Sequence, residues 1–320
     1  MKIFSFFRLI RWPNLLLTAL MIFIINDCLL KPVLINGKFG TLPSDMSFVL
    51  IVIAMVFIVA GGYIVNDLFD VEIDKVNKPK KVIVGKVFTI RETWFFYVII
   101  NILGIIAAAI ACFDALGSKA YIILLFFLLL IGVLYSYSST YKKKLITGNL
   151  IVSAAVASSV ILPWLFEFIH LRHFPTLMNE NAAAMFYSLR FVGFYTLFAF
   201  LITLCREIVK DMEDVEGDRL GNCSTIPLEW GMKTAKIIFS VIGVVLVVAI
   251  YIFYAHTQDN TRHSFFDFDL FINMTAICIL FSLKYVIFPD KKNGQNLHSA
   301  SVDLKIAMFI GVLSMLFINL

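Results

Sequence analysis

Long apolar runs parted by short charged segments make up almost the whole chain. The runs lie near 13–30, 47–66, 93–112, 120–138, 148–168, 187–206, 236–256, 267–288 and 303–320. Each approaches the ~20 residues that an α-helix needs to cross a hydrocarbon layer ~30 Å thick. Backbone groups in lipid must find their hydrogen bonds within the segment, so the runs predict nine membrane helices. Lys2, Arg8 and Arg11 precede the first run as they would in a signal peptide. No small-residue cleavage site follows, and the apolar stretch continues to about Leu30, so it reads as the first membrane helix. The expected fold is all-α: a polytopic bundle forming one domain over residues 1–320.

Composition sharpens this reading. Hydrophobic residues make up 60% of the chain and charged residues 15%, against roughly half and a quarter in a soluble domain; the mean hydropathy is +0.90. The five cysteines are scattered without CxxC spacing, which suggests neither a zinc site nor a disulfide framework. The one close histidine pair, His170 and His173, is expected in a loop without acid or thiol partners at metal spacing. Lys and Arg fall unevenly between the two sets of connections, 21 on the side of the N-terminus and 6 on the other. By the positive-inside rule the N-terminus is cytoplasmic, with the chain in the cell (inner) membrane. The same asymmetry accounts for the net charge of +5 without a nucleic-acid partner, since no aromatic-basic interleaving is present.

Two of the inner connections carry acids in a repeated spacing. Asn66-Asp67-Leu68-Phe69-Asp70-Val71-Glu72-Ile73-Asp74 follows the second run, and Glu207-Ile208-Val209-Lys210-Asp211-Met212-Glu213-Asp214-Val215-Glu216-Gly217-Asp218 follows the sixth. Spacings of three and four stack Asp67, Asp70 and Asp74 along one helix face, and Asp211, Asp214 and Asp218 along another. Glu207 extends the second stripe by a turn. Like charges so placed repel unless a cation sits among them. All-oxygen ligands favour Mg²⁺ or Mn²⁺, and Mg²⁺ usually shares its sphere with substrate phosphate oxygens, an arrangement that a diphosphate ligand fits. Lys75, Lys78, Lys81, Lys142, Lys143, Arg206 and Lys210 are at hand to neutralise its remaining charge. Solvated helix ends mix acids and bases freely, which is the bland alternative for either stripe alone. Two copies, each after a span running in the same direction, point to a common pocket and to a repeat of spans one to four in spans five to eight.

At these residues, NDLFDVEIDKVNKP and REIVKDMEDVEGDRLGNCSTIP, the chain resembles the UbiA superfamily of intramembrane prenyltransferases, whose motifs are NDxxDxxxD and DxxDxxxD. RWPN near the start and YSYSSTYKKK with the following GN support the resemblance. It implies nine spans around a central cavity closed by short helices from the inner loops. Asn66, Asp67, Asp70 and Asp74 would form one Mg²⁺-diphosphate cluster, and Asp211, Asp214 and Asp218 the other. Tyr135, Lys142 and Lys143 match a loop that touches the diphosphate. The usual NRPDRP after the first motif is here Asn77-Lys78-Pro79-Lys80-Lys81-Val82, which keeps charge at Lys78 but loses the planar fork of arginine.

The activity so implied is Mg²⁺-dependent transfer from a polyprenyl diphosphate held in membrane lipid, with Asn66, Asp70 and Asp211 at the reacting end. Glu207 and the departing diphosphate are both candidates for the final base. The second motif is most similar to enzymes that prenylate geranylgeranylglyceryl phosphate; those that prenylate an aromatic quinone precursor, of 4-hydroxybenzoate or naphthoate type, are also similar. An ion-coupled transporter would place its carboxylates near mid-membrane on broken helices rather than at the inner ends.

Overall fold

The computed structural model describes residues 2–36, 43–77, 82–180, 182–258, 265–288 and 295–318. The described residues hold no strand, only an isolated bridge between Val84 and Phe88. A short helix α1 (Lys2–Leu9) is followed by Arg11, whose φ of 52° turns the chain into α2 (Trp12–Ile24). Pro13 sits in the first turn of α2, where its missing N–H costs nothing. A π-turn over Ile25–Leu30 and α3 (Lys31–Asn36) prolong the crossing.

The second crossing is α4 (Asp45–Phe69), N-capped by Ser44, and it is followed by the short α5 (Val71–Asn77). Next come α6 (Ile90–Leu116), opened by a reciprocal Thr89–Glu92 capping box, and α7 (Ala120–Ser139). Together these two form a 50-residue apolar stretch, which as one helix would reach ~75 Å. Gly117, at φ 47°, instead folds the stretch back into two packed crossings.

The remainder is α8 (Thr147–Leu171), α9 (Pro175–Glu180), α10 (Ala182–Glu213), α11 (Val215–Leu220), α12 (Ile226–Glu229), α13 (Gly231–Gln258), α14 (Phe265–Ile287) and α15 (Gln295–Ser314). Each predicted run falls on one of these helices, giving nine crossings among the described residues; the last begins at Gln295, well before 303. His170 is in the final turn of α8 rather than in a loop. Its Nδ1 lies 2.7 Å from the Ala115 carbonyl, so the helix simply runs further than the apolar pattern does.

Packing repeats between the halves. α2 packs on α4, α4 on α6 and α6 on α7; in the same order α8 packs on α10, α10 on α13 and α13 on α14. Small residues allow the close approaches, as membrane interfaces favour. A Cβ on Gly104 of α6 would stand 3.3 Å from the Ala54 carbonyl of α4, and one on Gly243 of α13 would stand 2.9 Å from Leu283 of α14. Ile99, Ile102, Ile106 and Ile110 on α6, with Val241, Val244, Val245 and Val248 on α13, leave apolar faces exposed on the outside, where lipid covers them.

Candidate active site

Both acidic stripes bend, and they bend at the same place. α4 ends at Asp70 (φ −92°, ψ 3°) and α10 at Asp214 (φ −97°, ψ 14°), each the middle acid of its stripe. The hydrogen-bond ladder runs through both bends. The Asp70 amide donates to Asn66 O at 3.0 Å and that of Asp74 to Asp70 O at 2.8 Å; the Asp214 amide donates to Lys210 O at 2.8 Å and that of Asp218 to Asp214 O at 3.0 Å. The straight two-turn stripe expected from the spacing is therefore corrected: Asp67 and Asp211 stay on the long helices, while Asp74 and Asp218 sit on α5 and α11.

Those two short helices pack against each other. A Cβ on Gly221, just past α11, would stand 2.8 Å from Ile73 Cδ1 of α5, so the absence of a side chain there lets the two acidic ends meet. Both stripes thus lie at one end of the bundle.

Asp70 is 5% exposed. Its Oδ2 accepts from Asn66 Nδ2 at 2.7 Å and from the Lys142 ammonium, which also lies 3.4 Å from Asn66 Oδ1. Burial pulls the Lys142 pKa down, but the charge and hydrogen bond of Asp70 carry it above the ordinary lysine value. Lys142 and Lys143 belong to a 3₁₀ turn, Tyr141–Lys143, fixed from two sides. Gly148 leaves no room for a Cβ, which would stand 2.8 Å from Tyr141 O and 3.0 Å from Lys142 Cα. The Lys143 carbonyl accepts the Ser224 amide at 2.9 Å, tying this loop to the segment after α11.

Asp67 Oδ1 accepts from Arg11 Nη2 at 2.9 Å, and the same guanidinium lies over the Tyr63 ring. Asp211 Oδ2 accepts from Asn149 Nδ2 at 2.7 Å. Glu207 is buried and offers Oε1 to both Lys210 at 2.5 Å and Arg206 at 3.3 Å. Tyr137, near the end of α7, is half-buried.

Tyr135 stands elsewhere. It is 41% exposed in an aromatic cluster with Phe69, Trp94 and Tyr97, at centroid distances of 5.8, 6.4 and 6.5 Å. Two positions along a helix are ~200° apart in direction, so Tyr135 and Tyr137 point oppositely and the inner one is Tyr137. Lys78 and Lys81 lie outside the described residues. Arg11, Asn149 and Tyr137 had no role in the motif reading, although RWPN, GN and YSYSS each contain one of them.

Residues 38–293 match the UbiA prenyltransferase family. The chain belongs to that family. UbiA relatives include the digeranylgeranylglyceryl phosphate synthase of Sulfurisphaera tokodaii, 30% identical over 254 residues, which span 79% of this chain and 80% of the relative. A solved structure concerned with digeranylgeranylglyceryl phosphate synthase in membranes has the same fold, at TM-score 0.63 and 22% identity over 98% of this chain and 97% of that one. A UbiA homologue from Archaeoglobus fulgidus, bound to GPP and Mg²⁺, aligns at TM-score 0.55 and 16% identity over 97% of this chain and 99% of its own. The protein is a membrane prenyltransferase of the UbiA type.

Whether this UbiA site suits Mg²⁺ can be asked of its donors. Among the described residues no three acids, histidines or cysteines gather into a ready cage. Mg²⁺ does not need one, because it binds through one or two carboxylates, waters and substrate phosphate oxygens. Asp67 and Asp70 from one side, with Asp211 from the other, supply hard oxygen donors at one mouth, and their present partners Arg11 and Lys142 are themselves cations. The donor set fits.

Proposed function

We propose that this chain transfers a geranylgeranyl group from geranylgeranyl diphosphate to the free hydroxyl of geranylgeranylglyceryl phosphate, working as one domain over residues 1–320 with its N-terminus in the cytoplasm. The observation that carries the reading is the apposition of the two bent acidic helix ends, through the packing of α5 on α11. The acceptor follows from the names of the relatives, several of which are digeranylgeranylglyceryl phosphate synthases.

Asp67, Asp70 and Asp74 on one side, and Asp211, Asp214 and Asp218 on the other, would hold Mg²⁺, which when bound withdraws charge from the leaving diphosphate. The chain's own residues do the rest. Asn66 fixes the Asp70 carboxylate, and Asn149 fixes that of Asp211. Lys142, paired with Asp70, would offer its charge to the leaving group, with Lys143 beside it on the same turn. α5 and α11, which pack on each other, would cover the mouth and exclude water that would otherwise capture the allylic cation. The donor's C1–O bond breaks with its electron pair leaving on the diphosphate, and the acceptor hydroxyl oxygen bonds to C1. Its proton passes to the departing diphosphate, since Glu207 Oε1 is already shared by Lys210 and Arg206.

The test is to incubate purified protein with Mg²⁺, labelled geranylgeranyl diphosphate and a panel of geranylgeranylglyceryl phosphate, 4-hydroxybenzoate and dihydroxynaphthoate. Product on the glycerol phosphate is expected. Product on an aromatic acid alone overturns the acceptor assignment.

A further inference from the structure

The polar face of α10 continues past Asp211 into the bundle. Thr203, Arg206, Glu207, Lys210 and Asp211 follow one another at helical spacings and share a face. From Asp211 back to Thr203 the line is ~12 Å long. Two atoms on it are buried without a hydrogen-bond partner, Thr203 Oγ1 and Arg206 Nε. Other threonines in the crossings, one of them on α10 itself, turn the hydroxyl onto the carbonyl four residues back: Thr18 on Asn14 at 3.0 Å, Thr93 on Thr89 at 2.9 Å, Thr196 on Val192 at 2.7 Å and Thr275 on Phe271 at 2.8 Å. Thr203, only 3% exposed, does not. A buried hydroxyl and a buried guanidinium N–H left open on one face are costly unless something binds there.

Charge gives the same answer. Arg206 and Lys210 share a single oxygen of Glu207, while Asp211 is turned to Asn149. The two half-buried cations thus have one carboxylate oxygen between them and keep N–H donors free for a further anionic acceptor.

The chemistry says which anion. The diphosphate is held at the helix ends, and the carbon it leaves is attacked from the opposite side, which is the bundle interior. An acceptor that already carries a phosphate brings that group within a few bonds of its attacking hydroxyl. We propose that Arg206 and Lys210, with the Thr203 hydroxyl as a further donor, form a second anion subsite that binds the phosphate monoester of the acceptor, one to two turns inside the diphosphate site. This inference rests on the glycerol phosphate reading above. Its rival is that both cations merely add to the countercharge of the donor diphosphate.

Steady-state kinetics on the purified full-length protein with Mg²⁺ and geranylgeranyl diphosphate separates the two, using geranylgeranylglyceryl phosphate and its dephosphorylated alcohol as acceptors. Arg206→Gln, which leaves Glu207 paired with Lys210, is expected to raise KM for the phosphorylated acceptor by about thirtyfold or more. The effect should be selective: KM for the donor and turnover of the alcohol are expected to change by much less than KM for the phosphorylated acceptor. Arg206→Lys keeps the charge without the fork and should fall between. Thr203→Val, which removes only the hydroxyl, should raise the same KM severalfold and carries the test if Arg206→Gln melts early. A donor KM that rises in step, or an equal loss with both acceptors, overturns the subsite and leaves the acceptor assignment standing. A wild-type enzyme that uses neither glycerol compound overturns both.

Discussion

At the residue scale, the site is a set of carboxylates that are already satisfied by the chain's own cations and amides. Asp67 is held by Arg11, Asp70 by Lys142 and Asn66, and Asp211 by Asn149. Because a buried carboxylate without a partner is costly, Lys142→Ala should melt well below wild type in EDTA and recover much of the difference when Mg²⁺ is added. A deficit that metal leaves unchanged would show that the lysine and the ion do not serve the same acid. Asp70→Ala and Asp211→Ala are expected to lower transfer by about 10²–10³-fold or more while the detergent-solubilised protein keeps a cooperative melt, read by labelled-product assay beside a thermal scan. The acids were legible in the sequence because their spacing is local. Their partners were not, since Arg11 meets Asp67 across 56 residues, Asn149 meets Asp211 across 62 and Lys142 meets Asp70 across 72. Tyr137 was lost to Tyr135 for a different reason: the motif fixes a neighbourhood, and only the helix phase decides which of two tyrosines turns inward.

At the scale of elements, the crossings were readable because a membrane helix is announced by some 20 apolar residues in a row. The bends at Asp70 and Asp214 were not, because a ladder that runs through a bend leaves the i, i+3, i+7 spacing intact. What holds the bent ends in place is the fit of glycines. Gly148 abuts backbone atoms of the Tyr141–Lys143 turn, which cannot yield without moving Lys142; Gly148→Ala should cost about 1–3 kcal/mol of stability and reduce transfer with it. Gly221 meets chiefly the end of the Ile73 side chain, which can give, with the Gly217 carbonyl farther off at 3.3 Å. Gly221→Ala should therefore be milder, and pairing it with Ile73→Val should restore the melting temperature, which a contact through backbone would not allow.

At the scale of the whole molecule, the two halves repeat the same order of packing, and both place their acids at one end. By the Lys/Arg asymmetry we propose that this end faces the cytoplasm. In a cysteine-free background, Lys144→Cys in the loop after α7 should react with an impermeant maleimide only from the cytoplasmic face, and Ser118→Cys in the Gly117–Lys119 turn only from the other. The reverse pattern would invert the topology. The contact between α5 and α11 reaches further than the exclusion of water. If these short helices roof the proposed diphosphate site, a twenty-carbon donor would enter sideways, out of the leaflet in which it is dissolved. Its effective concentration is then a surface density, so adding empty micelles at fixed donor should slow the enzyme although nothing in the bulk solution has changed.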